Sequence, residues 1–175
     1  MIDLVTNDPV LRALYGYWRL RRGSAGMPDR RDIDPVDIPA FVLPNMMMLD
    51  LLDRGARARY RLIGTGLTAL AGGDHTGRFI DDVLSGTYLE YVRGLCREIY
   101  ESGMPIYTET LFRRDAKRMI LRRLSLPLAN GSKRATIALV GQVLDGADSG
   151  LGDASVALST AERHELRREI VRRAA

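Results

Sequence analysis

Three strand-like runs separated by turn signals follow directly on a long helical pattern, and that order constrains the fold more than any single motif. The helix candidate spans Ser85–Gly103, and the strand candidates cover Pro105–Arg113, Arg118–Leu128 and Arg134–Leu144. Within the helix Tyr88, Val92, Leu95 and Ile99, joined by Cys96, recur at spacings of three and four and make one apolar stripe. Gly103 and Pro105 end it as a C-terminal glycine and a following proline should. The polar stretch Arg113–Lys117 and the Asn130-Gly131 pair mark turns, so the three strands should pair as a meander. Two more strand candidates, Met46–Leu52 and Arg57–Ile63, precede a Gly-rich stretch of short helical segments, Thr65–Leu84. The order predicts an α+β fold: a five-stranded antiparallel sheet with helices on one face, extended by helices at both termini.

Residues 1–44 read as a leader, 45–145 as the core and 146–175 as a linker with a basic helix. Asp8-Pro9 has the form of an N-cap followed by proline at the first helical position. Leu11, Leu14, Tyr15 and Trp18 then share a helical face, and Gly23, Ser24 and Gly26 stop the pattern. That face must dock on the core or on a partner. Pro28, Pro35, Pro39 and Pro44 make the rest of the leader a turn-rich connector with one helical turn near Pro35–Ile38. Past Leu144 the chain turns to Gly, Asp and Ser, a linker composition. Ser159 and Glu162 then form a capping-box pattern for a helix through about Arg173, with Leu166, Ile170 and Val171 on its apolar side. Its arginines would attract an acidic partner, or stay solvated while the helix packs across its own dimer.

Composition excludes several functions. A net charge of +4 is a small excess, and the arginines are interspersed with Asp and Glu, without the basic stripe and aromatics of a nucleic-acid binder. No run approaches a membrane span, and the N-terminus lacks the order of a signal peptide. Cys96 is the only cysteine, which rules out an intrachain disulfide and suits the cytoplasm. Two histidines and one cysteine leave little for catalysis or metal binding. Asp32, Asp34 and Asp37 lack calcium-loop spacing and read as turn caps. Met46–Met48 reads as gap-filling core rather than a thioether metal site. Gly64-Thr65-Gly66 lacks the rest of a dinucleotide fingerprint, and Asp81-Asp82 suits a helix start better than paired acid–base chemistry. No catalytic or metal-ligating residue is assigned.

The string Tyr17-Trp18-Arg19-Leu20-Arg21, then Gly23, Met27-Pro28, Arg30 and Asp34-Pro35, resembles the leader of a bacterial family of small, standalone PAS-like proteins. The resemblance continues through Leu43-Pro44, Tyr60-Arg61-Leu62-Ile63-Gly64-Thr65, Gly72 with Thr76-Gly77, and Leu126-Pro127-Leu128, over about residues 10–145. The element order is also that of PAS domains. The resemblance implies a sensor or adaptor in signalling, with an internal ligand cavity and partner contacts, and no enzyme. Its cofactor is left open. The flavin-binding cysteine motif is absent, because Cys96 lies inside the long helix without its context, and neither His75 nor His164 stands in that helix as a haem ligand.

Strand alternation predicts the ligand site. Tyr60 and Leu62 should face the cavity with Ala58, leaving Arg57, Arg59 and Arg61 on a solvated face. Tyr88, Val92, Leu95 and Leu124 should stand nearby. Arg122 shares parity with Ile120, Leu124 and Leu126, so it should point inward and need either Glu109 or an anionic ligand. A homodimer is expected through Leu11, Leu14, Tyr15 and Trp18. The competing reading is an interaction module with a fully packed core; an enzyme using the sheet cavity is a third. A pocket of several hundred Å³ separates the first two.

Overall fold

The computed structural model describes residues 6–24, 26–114, 117–145 and 162–170. Its centre is one antiparallel sheet built from β1 (Met46–Leu52), β2 (Arg57–Ile63), β3 (Ile106–Arg114), β4 (Lys117–Leu128), β5 (Ile137–Asp145) and β6 (Glu162–Ile170). The strand order is β2-β1-β5-β4-β3-β6. The first five strands are the five-stranded sheet expected from the sequence, and β3, β4 and β5 form the meander. Helices α2 (Thr65–Leu70) and α3 (Gly86–Ser102) lie on one face. Helix α3 ends where Gly103 takes a left-handed conformation, φ 60°, and returns its N–H to the Ile99 carbonyl.

Helix α1 (Pro9–Arg22) covers the opposite face. Asp8 caps it by accepting from the Val10 and Leu11 N–H groups. Leu11, Leu14 and Trp18 are fully buried among Met46, Met48, Leu124, Leu126 and Leu139, and Tyr15 stacks on Trp18 at 6.1 Å between ring centroids. The Trp18 indole donates to the Pro127 carbonyl at 2.9 Å, so its one polar atom is satisfied in the core. Leu11, Leu14, Tyr15 and Trp18 are therefore not a dimer interface. Their apolar face is buried on the chain's own sheet.

The leader is tied down by its own turns. Asp29 and Asp34 cap short 3-10 turns at Arg30–Asp32 and Pro35–Asp37. The Tyr17 hydroxyl donates to the Asp34 carbonyl at 3.0 Å and accepts from the Asp34 N–H at 2.9 Å. Asp29 also accepts from the Gly131 N–H at 2.8 Å, which joins the leader to the loop between β4 and β5.

The expected C-terminal helix is corrected. Residues 162–170 form a strand that pairs antiparallel with β3, setting Glu109 opposite Arg167 and Arg113 opposite Glu162 in register. The outer edge of β3 carries backbone donors and acceptors that a strand satisfies and a helix cannot. A capping-box pattern is local, and this edge outweighs it. The Ser159 cap, the linker beyond Asp145 and the chain after Ile170 lie outside the described residues.

Two covered faces give the sheet two cores. On β1, Met47, Leu49 and Leu51 point toward α3, while Met46 and Met48 point toward α1. On β4, Leu121, Arg123 and Ser125 share the α3 side, and Leu124, Leu126 and Leu128 the α1 side. On β1 and β4 strand alternation is kept, and both of its phases are buried.

Candidate functional site

Between α3, α2 and the sheet lies a cavity of about 90 Å³. Its wall is mostly apolar: Met47 and Leu49 from β1, Leu67 from α2, Val92 and Leu95 from α3, Val140 from β5. Tyr60, Tyr88, His75, Arg123, Ser125 and Gln142 also line it.

Arg123 is the chemical centre of this cavity. It sits in the middle of β4, directly opposite Gln142 of β5, with 6% of its surface exposed. Its Nη2 donates to the Tyr88 hydroxyl at 2.5 Å and to the Gln142 side-chain carbonyl at 2.9 Å, and its Nε donates to the same carbonyl at 3.2 Å. The guanidinium also lies 5.8 Å from the Tyr88 ring centroid. Desolvation opposes its charge, but the oxygens of Tyr88, Tyr91 and Tyr60 outweigh that opposition and hold its pKa above the ordinary value. Every described partner of this cation is neutral.

The other residues define the walls. Burial raises the Tyr60 hydroxyl well above its ordinary pKa and pushes the Cys96 thiol up to about 12. His75 is 6.4 Å from the Tyr60 ring between centroids. Its Nδ1 faces Arg78 Nη1 at 3.3 Å and its Nε2 faces the Ala71 carbonyl at 3.3 Å. Arginine can only donate, so Nδ1 accepts and Nε2 carries the proton, a neutral tautomer. With both ring nitrogens engaged and so little space, the site fits neither haem nor flavin; usual ligand pockets run from ~300 Å³ upward.

Of the residues expected to line a ligand site, Tyr60, Tyr88, Val92 and Leu95 are brought together here. Leu62, Arg122 and Leu124 are not. Leu49 pairs with Tyr60 and Met48 with Leu62, which leaves Arg61 as an extra residue and reverses the phase of β2. Ile63 consequently enters the cavity, while Leu62 is 37% exposed. Leu124 is buried against α1 instead. Arg122 lies on Leu124's side of β4, where it pairs with Glu109 at 3.4 Å and with Asp145. Glu109 is thus the partner, though not in the cavity. The inward arginine is Arg123. The adjacent Arg122-Arg123 pair in a strand was the available signal, since one of the two must point to each face.

The remaining candidates serve structure. Asp50, almost fully buried, accepts from Arg59 at 2.9 Å and from Arg61 at 2.6 Å, so the stripe on β2 is paired rather than simply solvated. Arg57 stacks on Phe79 at 4.0 Å. Asp82 accepts from the Phe79 N–H and Asp81 pairs with Arg93 at 3.0 Å. Among the described residues no three His, Cys, Asp or Glu side chains group to hold a metal, and no helix is long and apolar enough to cross a membrane.

The five strands thus run in the order 2-1-5-4-3, with the cavity under the long helix before β3. A family model described as PAS domain matches residues 6–143, and the chain belongs to that family. PAS domains are sensor and signalling modules in general, typically sensory rather than catalytic. No curated protein matches the chain. No solved structure matches it either.

Proposed function

We propose that this protein is a cytoplasmic PAS-type sensor or adaptor. It takes up a small molecule in the cavity beneath α3 and reports occupancy to a protein partner, without catalysis of its own. The observation that carries this reading is the lining itself: a buried, polar Arg123–Tyr88–Gln142 cluster at the edge of an otherwise apolar cavity. Binding sites commonly combine apolar walls with a few convergent polar groups. Helix α3 supplies Tyr88, Val92 and Leu95 to the same wall, so occupancy would bear on its seat against the sheet.

The small volume favours a second reading, an interaction module whose core is packed and whose cavity is only a packing defect. Native mass spectrometry of the chain purified from its own host separates the two. A retained small molecule lost on Leu95→Trp, which fills the cavity, supports the sensor. A bare chain whose stability improves with that substitution supports the packed module.

A further inference from the structure

Resting on that reading of the cavity, we propose that its ligand is a short-chain monocarboxylate with an apolar tail, bound with its carboxylate on Arg123. Among the other described arginines, Arg22 and Arg57 stack on the Trp18 and Phe79 rings and Arg30 donates to the Ile33 carbonyl, but several others are ion-paired. Arg21 pairs with Asp37, Arg59 and Arg61 with Asp50, Arg93 with Asp81 and Glu90, and Arg122 with Glu109 and Asp145. All of these arginines are partly solvated, and each has a carboxylate. Arg123 is more deeply buried than any of them, yet no carboxylate among the described residues pairs with it. Its Nε and Nη2 are used on Gln142 and Tyr88, and its Nη1 donates to no described residue. Removing an ion from water costs several kcal/mol unless an opposite charge or full hydrogen bonding offsets it. An incoming carboxylate would supply that charge and accept from the free Nη1 edge of the guanidinium.

Size and lining set the rest of the molecule. One cation calls for one carboxylate. The wall beyond the polar cluster is Met47, Leu49, Ile63, Leu67, Val92 and Leu95, which suits a hydrocarbon tail and penalises a second polar group. An apolar cavity of ~150 Å³ takes up benzene. A space of about 90 Å³ is about three-fifths of that, room for about four non-hydrogen atoms, so the acid has about two to three carbons. Gln142 and Tyr88 are positioning residues here: they fix the plane of the guanidinium and do not neutralise it.

The test is a thermal-shift titration of the full chain with acetate and propionate, against propionamide, 1-propanol, chloride and phosphate at matched ionic strength. The expected result is a saturable rise in melting temperature of about 3–6 °C for the acids at millimolar concentration, and no saturable rise for the other probes. Arg123→Met should abolish the acid effect, and it should also lower the melting temperature of the free protein, because the Tyr88 hydroxyl and the Gln142 carbonyl lose their donor. The comparison of acid with amide needs only the wild-type chain, so it stands even where the variant fails to fold. Equal shifts from propionamide or the alcohol would overturn the carboxylate assignment and leave the cavity reading intact. Equal shifts from chloride or phosphate would overturn the tail. No shift from any organic probe overturns the proposal, and together with a bare chain in native mass spectrometry it overturns the cavity reading as well.

Discussion

Single residues set the tolerances on which the cavity depends. Gly55, in the turn between β1 and β2, has φ +80° and packs on the backbone of α3. A Cβ there would lie 2.7 Å from the Cys96 carbonyl oxygen and 2.8 Å from the Arg97 Cα. Neither neighbour is a flexible side-chain tip, so Gly55→Ala must displace the turn or the helix, and it also forces a left-handed conformation on alanine. A loss of about 2–4 kcal/mol in urea unfolding is expected. A change below ~0.5 kcal/mol would show that the turn does not rest on α3. Gly141 works in the same manner on the other face, where a Cβ would fall 2.7 and 2.8 Å from the Leu14 and Leu11 methyls. Those contacts are side-chain tips that can rotate away, so the penalty there is smaller.

At the scale of elements, β6 covers an edge of the sheet that would otherwise be open. Pairing along Ile106–Arg113 occupies the outer backbone groups of β3. Truncation after Asp145 should lower the melting temperature and leave a free strand edge that recruits other copies. Differential scanning fluorimetry with light scattering reads both effects. An unchanged melting temperature and a monodisperse truncated chain would mean that β6 contributes nothing to the sheet. Helix α1 is equally integral, since Trp18 and Leu14 fill the second core.

Across the whole molecule, two cores share one sheet, and a change on either face is felt through the same strands. Cys96 reports on the integrity of the α3 side. It is buried, and its thiol is pushed up to about 12 from an ordinary value of 9.0. A raised folded-state value stabilises the protein below the unfolded value and loses that contribution as pH rises. Between about pH 9 and 12 the unfolded chain ionises while the folded thiol resists, so this group makes stability fall with pH over that window. A thiol reagent at pH 8 should react with Cys96 only slowly in the native protein and at the rate of a free thiol in urea. Fast reaction of the native chain would show that the α3 side opens readily.

Local chemistry settled a large part of this protein. The α3 stripe, its glycine stop, the Asp8-Pro9 start of α1, the proline-spaced turns of the leader and the strands β1 to β5 were legible because each is encoded over a few neighbouring residues. So were Tyr60, Tyr88, Val92 and Leu95 as cavity residues. Which phase of a strand faces which core was not legible. On β4 both phases carry apolar residues on either side of Arg122 and Arg123, because both faces are covered, and the choice between the two arginines rests on where α1 docks. The extra residue at Arg61, which exchanges Leu62 for Ile63, exists only in the pairing of β1 with β2. Residues 162–170 have a helical start signal, yet they become a strand because the vacant edge of β3 is a distant surface that no local pattern contains. Tertiary structure decided those three points for one physical reason: burial and edge pairing are properties of partners far apart in the chain, whereas periodicity and capping are properties of neighbours.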